Sequence, residues 1–144
     1  MVEASARASA NLPEPLESAG ERIKVLLVDD STHFLESAVR FLMTVPSVQL
    51  VGCASSAPDA IEQAERLQPD LILMDVAMPD MNGLEVALHL KTECNPPRIV
   101  MLSLHDTPEY RCVARVVGAD GYVTKSDLAT HLLPLIEYLF KLKP

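Results

Sequence analysis

Five short apolar runs alternate with amphipathic segments along the chain, and this alternation limits the fold more than any other feature. The runs are Ile23–Val28, Val48–Ala54, Asp70–Asp75, Arg98–Ser103 and Gly121–Thr124, each of strand length. Their apolar residues stand mostly side by side, which predicts strands buried on both faces and therefore a parallel sheet covered on both sides. The intervening segments have helical spacing. Over Ser31–Val45, the residues Phe34, Ala38, Phe41, Leu42 and Val45 fall at i, i+4, i+7, i+8 and i+11. Ser55 or Ser56 is placed to cap a helix through Leu67, with Pro58 in its first turn. Pro79 and then Asn82-Gly83 mark a loop before a helical Leu84–Thr92. Thr107-Pro108 opens a helix ending near Gly118, and Ser126–Leu142 forms the last one. Pro134 predicts a kink there, or a restart with Pro134 at the first position. Right-handed crossovers make such a chain an α/β fold, a doubly wound five-stranded parallel sheet in a three-layer α/β/α sandwich.

The chain has 144 residues, which suits one domain. Residues 1–22 are rich in Ala, Ser, Glu and Pro and nearly free of large apolar groups, so they are read as a flexible tail before a domain over 23–144. Net charge is −8, and residues 23–144 alone carry sixteen acids and ten bases. That balance argues against direct DNA binding, which needs clustered cations to displace phosphate counterions. No apolar run reaches membrane-spanning length, and the N-terminus lacks the basic-then-apolar pattern of an export signal. The cysteines Cys53, Cys94 and Cys112 are odd in number and without metal-like spacing, which favours a reducing cytoplasm.

Ligands of doubly wound sheets bind at the carboxyl ends of the strands. The first strand ends at Asp29-Asp30, the third at Asp75 and the fourth at Ser103, while Lys125 follows the fifth. Three neighbouring carboxylates repel, so one stays protonated or a cation sits among them. Oxygen ligands with no His or Cys nearby favour Mg²⁺, which keeps open positions for a phosphoryl group. A lysine and a hydroxyl supply charge and a hydrogen-bond donor for phosphoryl oxygens. The set predicts phosphoryl transfer at a carboxylate, with Asp75 as nucleophile. Taken singly, each group has a plainer reading: Asp29 or Asp30 as a helix N-cap, Asp75 as a solvated loop acid, Lys125 as a surface lysine.

The stretches VLLVDDS, DLILMDVAMPDMNGLE, VMLSLHD and GADGYVTKSD together resemble the response-regulator receiver domain of two-component signalling, with NarL/FixJ-type receivers nearest. The likeness covers about residues 23–142 and implies a flavodoxin-like (βα)₅ fold. It implies Asp75 as phospho-acceptor, Asp30 as direct Mg²⁺ ligand, Asp29 holding a metal-bound water and the Ala77 backbone carbonyl as a further ligand. It implies Ser103 as switch hydroxyl, Lys125 as phosphate-binding lysine and Tyr122 as switch aromatic, where the plainer reading is a buried tyrosine with a satisfied hydroxyl. The implied donor is a sensor histidine kinase or a phosphotransfer protein. The sequence departs from the family pattern at Leu104, where a small residue is usual and a leucine narrows the approach to Asp75 or leans on the fourth helix. Ser126 replaces a proline that often follows the lysine. Ala77 and His105 stand where relatives vary the phosphoryl lifetime.

The first helix carries a second apolar stripe, Leu35, Val39 and Met43, and the last helix is broadly apolar from Leu128 to Leu142. Together they predict either an exposed patch for a homodimer or kinase, or stripes buried against each other or under the tail. His33, His89, His105 and His131 lack ligand spacing and read as surface residues. Pro144 follows the last helix directly, so the expectation is a stand-alone cytoplasmic receiver acting through an unknown output protein. Its alternative is a pseudo-receiver adaptor that binds partners without phosphate. An Mg²⁺-dependent phosphatase or a flavin-binding oxidoreductase is a third class, but no Walker, Gly-x-Ser-x-Gly or Gly-rich dinucleotide motif supports a separate catalytic turnover.

Overall fold

The structure, a computed structural model, describes residues 22–78, 83–93 and 95–141. All of the expected tail except Arg22 lies outside the described residues, as do Pro79, Asn82, Cys94 and Leu142. The elements run β1 (Ile23–Val28), α1 (Thr32–Leu42), β2 (Val48–Ala54), α2 (Ala57–Leu67), β3 (Leu71–Asp75), α3 (Gly83–Lys91), β4 (Arg98–Ser103), α4 (Pro108–Val116), β5 (Gly121–Thr124) and α5 (Leu128–Phe140). A 3₁₀ turn over Lys125–Asp127 joins β5 to α5. The five strands form one parallel sheet in the order β2-β1-β3-β4-β5, a flavodoxin-like arrangement.

Period-2 alternation divides each central strand between two cores. Val25 and Leu27, Leu71 and Leu73, and Val100 and Leu102 pack with Ala38 and Leu42 of α1 and Leu128, Leu132 and Ile136 of α5. Leu26 and Val28, Ile72 and Met74, and Ile99 and Met101 pack on the other face with residues of α2, α3 and α4. These are the three layers expected from strands without a polar face.

Ser31, Ser56 and Thr107 cap α1, α2 and α4, each side-chain oxygen accepting the N–H three residues on. Neither Asp29 nor Asp30 caps α1. Asp29 Oδ1 instead accepts the Ser31 N–H at 2.8 Å, which leaves Ser31 in the cap position. α1 ends at Leu42, before Val45, with Pro46 shortly beyond.

The last helix neither stops nor restarts at Pro134: α5 passes through it as one helix. Proline cannot supply the N–H that Thr130 would otherwise accept, but both residues are exposed and water can take that place. The opposite side of α5 is held by Leu132, Ile136 and Leu139, all buried in the core. Leu35, Val39, Leu133, Leu135 and Phe140 are partly buried against the same core. Met43, just past α1, and Tyr138 of α5 are the large apolar groups of these two segments open to solvent among the described residues, so most of both stripes is packed against the core, nearer the buried alternative than the exposed patch.

Candidate phosphoryl-transfer site

Strand register brings the acids together. Val28 of β1 lies beside Met74 of β3, so Asp29 and Asp75 occupy the next step at the carboxyl edge. Alternation turns both toward the α1/α5 face, and Lys125, two residues after Val123, continues the same parity. On the opposite parity, Met101 pairs with Tyr122 and Ser103 with Thr124 across β4 and β5. The edge therefore carries an acid-and-lysine group on one side and a hydroxyl group on the other.

In the first group, one carboxylate oxygen from each of Asp29, Asp30 and Asp75 lies within 4.8 Å of the others. Asp29 is fully buried, Asp75 is 6 % exposed and Asp30 is open to solvent. Lys125 Nζ stands 2.6 Å from Asp29 Oδ2 and 3.3 Å from Asp75 Oδ2, and donates a hydrogen bond only to the second. Asp29 Oδ2 is buried, and beyond this ion pair it has no hydrogen-bond partner among the described residues. Asp75 Oδ1 accepts the Ala77 N–H at 3.0 Å. Burial pushes the Asp75 carboxyl above its ordinary pKa, and the Asp29 charge adds to the rise; the Ala77 N–H and Lys125 oppose it. The face of the Phe34 ring completes the lysine's surroundings, with its centroid 4.6 Å from Nζ.

The donor set fits a hard divalent cation. Three carboxylates converge, one presents a buried oxygen met only by the lysine ammonium among the described residues, one is open to solvent, and no sulfur or imidazole joins them. One lysine cannot neutralise three carboxylates, so the cluster retains net negative charge.

In the second group, Ser103 is fully buried and its Oγ lies 2.7 Å from the Tyr122 hydroxyl. Both hydroxyls also reach the His105 carbonyl, at 2.8 Å from Ser103 and 3.2 Å from Tyr122. The Arg111 guanidinium lies over the Tyr122 ring, 4.7 Å from its centroid, and forms two hydrogen bonds with Asp106 at 2.6 and 2.9 Å. Leu104, between these groups in sequence, is 67 % exposed and so does not bury its side chain against α4.

Arg111, the His105 carbonyl and Phe34 were not marked by the sequence as parts of this site. The spacing of Asp106 and Arg111 across the start of α4 is the one linear signal for their pairing. The four histidines are exposed as predicted. His89 nevertheless lies 3.2 Å from Glu65, with Glu93 close by, a grouping hidden from linear spacing because Glu65 sits on a different helix. Among the described residues, no helix is long and apolar enough to cross a membrane.

The response regulator receiver domain model matches residues 25–137. The chain is 39 % identical over 105 residues to the nitrate/nitrite response regulator protein NarL of Escherichia coli K12, covering 73 % of this chain and 49 % of that protein. It is 37 % identical over 116 residues to the response regulator protein VraR of Staphylococcus saprophyticus, covering 79 % and 54 %. The solved signal receiver domain of a response regulator designated NarL from Mycobacterium tuberculosis superposes with a TM-score of 0.76 at 32 % identity, over 85 % of this chain and 99 % of that one. The chain spans about half the length of the curated relatives it matches.

Proposed function

We propose, on the premise that the chain belongs to the response regulator receiver domain family of two-component signalling, that Asp75 accepts a phosphoryl group from a phosphohistidine on a sensor kinase or phosphotransfer protein. The observation that carries this reading is the position of Lys125, within 3.3 Å of both Asp29 and Asp75 at the edge of a three-carboxylate cluster.

In the transfer, an Asp75 carboxylate oxygen attacks phosphorus in line with the P–N bond of the donor. The O–P bond forms as the P–N bond breaks, and the electron pair leaves on the imidazole nitrogen, which takes up a proton. Burial favours this attack, because a poorly solvated carboxylate has little hydration to shed. The Ala77 N–H holds the Asp75 carboxylate in place. Lys125 moves its charge from the two carboxylates toward the arriving phosphoryl oxygens, and Ser103 offers its hydroxyl proton to another. Asp29, Asp30, Asp75 and the Ala77 carbonyl are assigned to hold Mg²⁺, which when bound neutralises charge on the phosphoryl oxygens.

The Ser103 proton is committed to His105 or Tyr122 before transfer. Phosphorylation therefore draws on the same hydrogen bonds that hold the β4–α4 loop and Tyr122, and this links the chemistry to the surface around α4. The acidic charge of the chain supports output through protein contacts rather than a nucleic-acid backbone, in the cytoplasm. The chain changes state once per phosphoryl group and turns over no separate substrate.

Incubation with acetyl phosphate and Mg²⁺ tests the assignment. The expected result is a gain of ~80 Da by intact mass that chelation prevents and Asp75→Asn abolishes. Uptake at full level in Asp75→Asn would falsify it.

A further inference from the structure

We infer that Phe34 is a positioning residue for Lys125, holding the ammonium at the site through the face of its ring. This deepens the phosphoryl-transfer reading and rests on it. Lys125 Nζ lies 4.6 Å from the Phe34 centroid, inside the range in which an ammonium is attracted to an aromatic face. Among the described residues, its only oxygen partners are those of Asp29 and Asp75. The lysine side chain is 12 % exposed, so little water reaches the ammonium. The ring and the two carboxylates all lie within 4.6 Å of Nζ.

The placement of the ring follows from the same segment that places the acid. Asp29 Oδ1 accepts the Ser31 N–H, and Ser31 Oγ accepts the Phe34 N–H. Phe34 thus lies in the first turn of α1 at a position fixed by its cap, with the ring partly buried against the α1/α5 core. Asp29, Ser31, Phe34 and Lys125 form a closed circuit of contacts around the carboxyl end of β1. The chain has only three phenylalanines, so generic aromatic crowding does not explain one lying over this lysine.

The chemistry favours a ring at this point over another oxygen. A third carboxylate or carbonyl would bind the ammonium by a directed hydrogen bond and compete with an arriving phosphoryl oxygen. Attraction to a ring face is broad and weakly directional, so the ammonium can turn toward the phosphoryl group without breaking such a bond. The ring also excludes water, which strengthens the charge's action on the reacting oxygens.

The test uses Phe34→Leu, which keeps apolar bulk but removes the ring, and Phe34→Tyr, which keeps the ring. Two quantities are measured on folded protein: the rate of acetyl phosphate uptake with Mg²⁺, and the NMR shift of the Lys125 Hε protons, assigned by comparison with Lys125→Arg. The expected result is ~3- to 10-fold slower uptake in Phe34→Leu, most of the rate restored in Phe34→Tyr, and a ring-current displacement of Hε lost only in Phe34→Leu. Wild-type uptake retained in Phe34→Leu overturns the inference and leaves the Asp75 assignment intact. Equal slowing in both variants, with Hε unmoved, also overturns it and makes Phe34 a packing residue. A wild-type protein that takes up no phosphoryl group removes the Asp75 assignment and this inference together.

Discussion

Ser103 and Tyr122 share a hydrogen-bonding problem: their hydroxyls lie 2.7 Å apart and both reach the carbonyl of His105. Two hydroxyl protons serve three close oxygen–oxygen contacts, so at any moment one contact lacks a donor. Ser103 can turn its proton to a phosphoryl oxygen only by leaving this arrangement. Tyr122→Phe removes one of its restraints, and phosphoryl uptake is expected to rise ~2- to 5-fold, the worth of one modest hydrogen bond. Ser103→Ala removes the donor itself and is expected to slow uptake ~10-fold or more. Intact-mass time courses with acetyl phosphate and Mg²⁺ distinguish the two; equal slowing in both variants would contradict the shared-proton account.

The Asp106–Arg111 pair predicts a pH response outside the carboxylate cluster. The hydrogen bonds from Arg111 hold the Asp106 carboxyl below its ordinary value of about 3.9. A depressed carboxylate contributes whatever it adds to folding at pH values above the unfolded pKa, and loses it as pH falls through the lower folded value. Asp106 and Arg111 are exposed, so the readout is local rather than global stability. Asp106 is expected to titrate by NMR below ordinary aspartates and to return to the ordinary value in Arg111→Ala. The Tyr122 ring signals are expected to move in the same variant, because the guanidinium over the ring is gone.

Asp75→Asn is expected to stabilise the protein at neutral pH in the absence of divalent cations. Burial, followed by the charge of Asp29, raises the Asp75 pKa despite the Ala77 N–H and Lys125. For a carboxyl raised on folding, the sign is the reverse of the Asp106 case. The charged form is penalised in the fold, the full penalty applies above the folded pKa, and none remains below the unfolded value. The gain on removing the charge is about 1 kcal/mol at pH 7, a few degrees in Tm, and it vanishes near pH 3. Thermal melts of both proteins at the two pH values measure it; equal Tm at pH 7 would contradict the burial argument.

The strand ends were the most legible part of the sequence. Runs apolar at consecutive positions belong to a doubly covered parallel sheet, and in such a sheet Asp29, Asp75 and Ser103 must reach one edge whatever the loops do. The cap of α1 was less legible, since Asp29, Asp30 and Ser31 are all competent caps; the choice rests on Asp29 being drawn down beside Asp75. Phe34 shows a different limit. Its spacing with Ala38, Phe41 and Leu42 is that of a core stripe, and it does pack against the core, but periodicity carries no information about which residue of another element faces its ring. Arg111 and Tyr122 are hidden in the same way, brought together by the packing of α4 beside β5. Pro134 left a kink or a restart open in the sequence, because local helix rules omit the buried leucines that keep α5 one helix through it.

Asp30 separates metal affinity from stability. It is the solvent-exposed member of the carboxylate cluster, and its side chain makes no hydrogen bond among the described residues. Removing its charge therefore sacrifices no buried contact, and Asp30→Asn is expected to melt within ~0.5 kcal/mol of wild type without metal. A hard cation loses one of its three carboxylates in that variant, and Mg²⁺ affinity is expected to fall ~10-fold or more. The two effects are read in one experiment, because a ligand that binds only the folded state raises Tm with its concentration. Wild type is expected to gain stability progressively with added Mg²⁺, while Asp30→Asn starts from the same Tm and requires correspondingly more metal for the same gain. Superimposable Mg²⁺ titrations of the two proteins would remove Asp30 from the metal site and leave Asp29 and Asp75 to account for any binding observed.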